Sequence, residues 1–162
     1  MTEGEKNMGF FSKLTNAITG GGIKVTLQCS EAVLGKPVPV RVSAAVTRED
    51  TDIQEVTIQV MANERVTVRN VVLAEKFGEQ VREKHDDVTQ VNTTFTRKFT
   101  VAGPQRLQTG QTYEWTGSFD IPVEERPTFK GVNAFHTWQV QAAVETKGNN
   151  PDSGWMEIAV TR

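Results

Sequence analysis

The chain has 162 residues, the size of one domain with a core large enough to need no staple, and its one cysteine excludes an internal disulfide framework. Eighteen Lys and Arg stand against 20 Asp and Glu, spread along the whole chain, so there is no basic stripe to track a phosphate backbone and no nucleic-acid partner is expected. Hydrophobic residues at 37% and charged ones at 23% suit a soluble globular domain better than a disordered or membrane-embedded one.

Residues 1–22 read as a tail followed by a short amphipathic helix. Phe10, Phe11, Leu14, Ala17 and Ile18 fall on one arc at helical spacing, and Gly20, Gly21 and Gly22 follow where a helix C-terminus favours glycine. At roughly two turns such a helix is unstable alone and must dock on something. Acids interleave with the lysines and no continuous apolar run occurs, so this stretch is neither a secretory signal nor a membrane span, and the expected location is cytoplasmic.

From residue 23 onward the pattern changes to period two, the signature of strands with one face in a core. Ile23, Val25, Leu27 and Cys29 alternate with polar residues, and Val38, Val40, Val42, Ala44 and Val46 do the same after the Gly35-Lys36-Pro37 turn. Val56, Ile58 and Val60 form a third run. The charge-dense segment 75–87 reads as an exposed loop or a twisted hairpin end. Phe95, Phe99 and Val101 lead to the Gly103-Pro104 break, with Arg97 on the apolar side marking an edge or a polar cluster. Tyr113, Trp115, Phe119 and Ile121 share another face, residues 124–132 form an irregular link around Pro127, and Trp138, Val140, Ala142 and Val144 precede the Asn149-to-Gly154 turn and a last strand of Met156, Ile158 and Val160. Repeated short strands with no helical pattern between them predict an all-β antiparallel sandwich over residues 23–162.

Chemistry-bearing residues are sparse. His85, Asp86 and Asp87 are neighbours in a polar run with no spaced second ligand pair, so a solvated loop is the expectation and no metal site is assigned. His136 shares the alternating face of Trp138 and reads as a packed or edge histidine. Cys29 continues an apolar face as a small hydrophobe. Glu124 and Glu125 beside Arg126 read as solvated, the three glycines precede a strand and so do not cradle phosphate, and Trp138 and Trp155 read as core. Neither catalytic residues nor a cofactor is assigned, and no enzyme is expected.

Several segments together resemble the bacterial sporulation-control proteins of the arrestin-like clan. They are FFSKL, IKVTLQ, LGKPVPVRVSA, TFTRKFTV, YEWTGSFDIP, WQVQAAVETKG and NNPDSGWMEIAV, with Phe119, Ile121, Pro122, Trp138, Val140, Pro151 and Asp152 at the positions that carry the likeness. The resemblance implies an immunoglobulin-like β-sandwich of the arrestin N-lobe type and a non-enzymatic role as scaffold, adaptor or regulator, linked to sporulation or stress control. Arrestin-like proteins usually carry two lobes and this length accommodates one, which turns attention to exposed strand edges, to another polypeptide and to a homo-oligomer as partners. The alternative is peripheral contact with a lipid surface through Phe10, Phe11, Leu14 and Ile18 of the helix.

Overall fold

The computed structural model describes residues 22–162 together with the backbone of residues 15–20. In chain order the strands are β1 (Thr15–Gly20), β2 (Ile23–Cys29), β3 (Ala32–Val33), β4 (Pro37–Val46), β5 (Thr51–Phe77) and β6 (Gln80–Ala102). They continue with β7 (Gln105–Leu107), β8 (Thr112–Asp120), β9 (Phe129–Lys130), β10 (Ala134–Thr146), β11 (Met156–Ile158) and β12 (Val160–Thr161). Among the described residues there is no helix.

Two antiparallel sheets face each other. One has the order β1-β2-β4-β8; the other has the order β11-β10-β5-β6, with β7 beside β5 and β9 beside β10. A short parallel pair of β3 and β12 ties the first part of the chain to its last strand. The alternating apolar residues of β2 and β4, of β5 up to Ala62 and of β10 from Trp138 are buried, and with Phe119, Ile121, Leu107, Met156 and Ile158 they form one core between the sheets. Phe99 of β6 meets Phe119 of β8 across the layers at 5.9 Å between ring centroids, and Phe95 lies 5.2 Å from Trp138. An all-β sandwich is therefore what the period-two pattern produces. Arg97, the interruption in the apolar run, sits on the edge strand β6 with its guanidinium over the Phe99 ring.

The expected amphipathic helix is corrected over its described part. Ala17 and Ile18 belong to β1, which pairs antiparallel with β2 from Thr15↔Gln28 to Gly20↔Ile23. Thr15, Ile18 and Thr19 are β-branched, which favours extended backbone, and pairing with β2 satisfies more backbone groups than two isolated helical turns would. Of the glycines read as a helix cap, Gly20 ends β1 and Gly22 precedes β2 at φ +86°, a conformation glycine adopts without strain. Phe10, Phe11 and Leu14 lie outside the described residues.

β5 and β6 depart most from an ordinary sandwich. They have 27 and 23 residues, where strands of 3–10 are usual. β10 accompanies β5 only as far as the pair Ala134↔Val66, with one more bond from the Thr67 N–H to the Asn133 carbonyl. Beyond that point β5 and β6 run on as a two-stranded arm to the pair Phe77↔Gln80. Gly78, at φ +61°, is the first of the two turn residues, where a type II′ hairpin takes glycine. Of the two readings of segment 75–87, the hairpin end is the one that forms.

Candidate functional site

The arm is built from the register of its ladder. Directly paired residues of an antiparallel ribbon share a face, so the core pair Ala62↔Phe95 defines the inner face. Following it outward gives Glu64↔Asn92, Val66↔Gln90 and Val68↔Val88. A bulge then sets Arg69 and Asn70 against Asp87 and preserves the alternation on β6. The inner face therefore continues as Val71↔Asp86, Leu73↔Lys84, Glu75↔Arg82 and Phe77↔Gln80. Two contacts agree with this assignment: the Arg82 guanidinium lies 5.7 Å from the centroid of the Phe77 ring, and Lys84 Nζ lies 3.1 Å from Asp86 Oδ2. The outer face carries Arg65↔Val91, Thr67↔Thr89, Val72↔His85, Ala74↔Glu83 and Lys76↔Val81.

Nothing among the described residues covers the arm. Val68 and Phe77 are 57% and 59% exposed, and Val66, Leu73 and Val88 lie between 37% and 44%. Of the 12 large hydrophobic residues that stand exposed among the described residues, eight are on this one hairpin. Scattered exposed hydrophobics are normal on a protein surface, whereas this concentration marks a contact surface.

The base of the arm is fixed. At the bulge Asn70 takes φ +56°, its N–H donates to Asp87 Oδ1 at 3.0 Å, and its side-chain oxygen pairs with His85 Nδ1 at 3.0 Å. Arg69 Nε donates to Asn133 Oδ1 at 3.0 Å and its Nη1 lies 3.5 Å from Asp87 Oδ2, which ties the ribbon to the link before β10. One layer inward, Thr94 occupies a second bulge, and its hydroxyl pairs with His136 Nε2 at 2.9 Å. His136 Nδ1 pairs with the Pro127 carbonyl at 3.0 Å, and Trp138 Nε1 donates to the Arg126 carbonyl at 2.9 Å. His136 is thus a buried strut that holds the 124–128 link against the sandwich, in agreement with its reading as a packed residue.

A concavity of about 250 Å³ lies on the outer side of the larger sheet, lined by Thr57, Gln59, Lys98, Gln141 and Glu145 among others. Its charges engage one another. Lys98 pairs with Glu145 and, at 3.2 Å, with Glu55; Thr57 donates to Glu145 and Thr100 to Glu55. Hydrogen bonds from Thr100 and then Lys98 hold the Glu55 carboxyl below its ordinary value, and the hydrogen bond to Glu145 raises Lys98. The cluster stitches β5, β6 and β10 together.

The other residues singled out by sequence fall as follows. His85, Asp86 and Asp87 are exposed, as a solvated reading requires, but they lie in strand β6 and not in the expected loop, because the segment pairs with β5. No group of three His, Cys, Asp or Glu among the described residues is placed to hold a metal ion. Cys29 is buried, and burial pushes its thiol up to about 12. Glu124 is exposed and Glu125 half-buried. Trp138 is core as expected, whereas Trp155 is 37% exposed and its reading as core is corrected, because it occupies the polar-side position of the alternation that buries Met156 and Ile158. Of the four residues proposed as partner or membrane contacts, Ile18 lies in β1 and Phe10, Phe11 and Leu14 lie outside the described residues. Among the described residues no helix is long and apolar enough to cross a membrane.

The arm residues were missed as a site by sequence reasoning. The available signal was the alternation Val66-Thr67-Val68 and the Gly78-Glu79 turn between Phe77 and Gln80. It was hidden by the bulge at Arg69-Asn70, which moves the inner face from the even-numbered positions Val66 and Val68 to the odd-numbered positions Val71, Leu73 and Phe77 and so breaks the period.

The class defined by this architecture is a two-layer β-sandwich with a projecting β-ribbon. No protein-family model and no curated protein sequence matches the chain. Among solved structures, the crystal structure of Spo0M, sporulation control protein, from Bacillus subtilis is similar, with a TM-score of 0.56 and 16% identity over 88% of this chain and 51% of that one. The chain thus spans about half the length of that protein. The resemblance to sporulation-control proteins read from the sequence holds at the level of the fold.

Proposed function

We propose that this chain is a non-enzymatic protein-interaction module, an arrestin-like sandwich that serves as scaffold, adaptor or regulator and engages its partner through the β5–β6 arm. The observation that carries the reading is the concentration of exposed apolar side chains on a ribbon with a pinned base. A rigid base gives the arm a defined direction, which lowers the ordering cost of binding. Open ribbon edges add the capacity to accept a partner strand. A role in sporulation or stress control is suggested by the fold shared with the Bacillus subtilis sporulation control protein, and a cytoplasmic location by the lone buried thiol. Lipid contact through an amphipathic helix loses its geometric basis at Ala17 and Ile18, which are strand.

The test is cross-linking with mass spectrometry in the native host, using Lys76 and Lys84 as reporters on the arm. Cross-links from these two lysines to another polypeptide, lost when the arm is shortened, are expected. Cross-links that arise only from the sandwich body, unchanged by shortening the arm, contradict the reading.

A further inference from the structure

We infer that the partner of the arm's inner face is a second copy of the chain, with two arms packed face to face and antiparallel about a two-fold axis. This rests on the reading of the arm as a binding surface and names its occupant.

The inner face continues the inner face of a sandwich past the point where the opposing sheet ends. Through Ala62 the strand is buried beneath that sheet; from Val66 outward its inner residues are exposed or half-buried. A two-stranded ribbon is marginal in water unless a further layer covers its apolar face. The missing layer has the same shape as the ribbon itself.

Charge selects among occupants. Between residues 68 and 88 the ribbon carries Arg69, Lys76, Arg82 and Lys84 against Glu75, Glu79, Glu83, Asp86 and Asp87. Both signs are interspersed and nearly balanced, which offers no attraction to a nucleic acid or an anionic bilayer and suits a surface of the same mixed character. The inner face alone holds two acids, Glu75 and Asp86, and two bases, Arg82 and Lys84.

The arrangement along the face is self-complementary. Along β5 the face is apolar at Val66, Val68, Val71, Leu73 and Phe77, interrupted by Glu75, which pairs across the ribbon with Arg82; the charged row Asp86, Lys84 and Arg82 runs along β6. A two-fold axis in the interface, crossing the strands between the levels of Val71 and Leu73, lays β5 over β5 and β6 over β6 in reverse direction. Val71 then meets the partner's Leu73, Asp86 meets the partner's Lys84, and Phe77 at the tip meets the partner's Val66 at the base, while the Glu75–Arg82 pair lies at the level of the partner's Val68 and the partner's Val88. Such an interface is isologous and closes after two copies, so it does not propagate into a fibre. Two ribbon faces about 33 Å long and 10 Å wide, with their projecting side chains, bury on the order of 1,200 Å² together, the lower range for a stable interface.

Three measurements on the full chain test this. Light scattering across a concentration series is expected to give the mass of two copies, and Val68→Ser with Phe77→Ser is expected to weaken the dimer more than about 100-fold, since each change is present twice. Both positions are exposed, so an unchanged circular dichroism spectrum, and an unchanged melting curve at a dilution where wild type is a single copy, verify folding. For register, Val71→Cys protein mixed with Leu73→Cys protein is expected to form an intermolecular disulfide on oxidation, while the outer-face pair Ala74→Cys and Lys76→Cys is not; the native Cys29 is buried and silent. A single-copy mass throughout the series, or outer-face cysteines that link as fast as inner ones, overturns the inference. If the protein is monomeric while the wild type, and not the serine variant, cross-links a different polypeptide in host cells, the second copy is wrong and the arm remains a binding surface. If the serine variant behaves as wild type in both assays, both readings fall.

Discussion

β5 and β6 pass through two environments, and the same alternation does different work in each. Between Val56 and Ala62 the inward residues of β5 are fully buried against β2, β4 and β8, while from Val66 to Phe77 residues of the same chemical type stand in water. Period-two patterning therefore specifies a strand and its faces; whether a face is core depends on the second layer. The body obtains its stability from that layer, and the arm, lacking one, keeps its apolar face available.

The largest loss of stability is expected at the centre of the body. Trp138 is fully enclosed, packs against Phe95 and His136, and hydrogen-bonds the Arg126 carbonyl. Trp138→Ala is expected to cost about 3–5 kcal/mol by chemical denaturation, a large part of a domain's stability. A smaller loss is expected at Ser153, buried, whose hydroxyl accepts from the Ala142 N–H at 3.0 Å and donates to the Gly154 carbonyl. Ser153→Ala leaves that N–H without its side-chain partner and should cost about 1–3 kcal/mol in the same assay. Gly22→Ala should cost about 1–2 kcal/mol, because φ +86° is unfavourable for a side chain and the added Cβ would lie 2.8 Å from Arg48 Cβ. On the arm, Val72→Ser should leave stability within about 0.5 kcal/mol of wild type, the usual size for exposed positions. A loss there as large as at Ser153 would mean the arm is part of the cooperative core.

The smallest effect is electrostatic. The Thr109 backbone N–H, and after it the Arg106 guanidinium, hold the Asp50 carboxyl below its ordinary value where β5 begins. A depressed folded value means the contribution is complete above the ordinary carboxylate range and disappears as pH falls through the depressed value. Asp50→Asn should therefore narrow the stability difference from wild type as the solution is acidified, and a difference that grows on acidification would contradict this.

Most of the body was legible because its signal is local: each of the runs at Ile23, Val38, Val56 and Trp138 names its own buried face, and Gly35, Gly103 and Gly110 punctuate them. Two features were not. Residues 15–20 carry a pattern compatible with either period, and pairing with β2, a tertiary event, decides for strand. The arm is polar by composition, its period is interrupted by the Arg69-Asn70 bulge, and whether Val66 and Phe77 are covered depends on where the opposing sheet ends, which no local pattern encodes. His136 was correctly placed as packed, yet its partners Thr94 and Pro127 come from a bulge and a loop that only the fold brings together.

The division between a stabilising body and a binding arm is tested most directly by replacing residues 69–87 with Asn-Gly, a two-residue turn that closes β5 on β6 at Val68 and Val88. The expected result is a melting temperature within about 2 °C of wild type, both taken at a dilution where wild type is a single copy, together with complete loss of association at higher concentration. A fall of more than about 10 °C, or association that survives the shortening, would contradict the account.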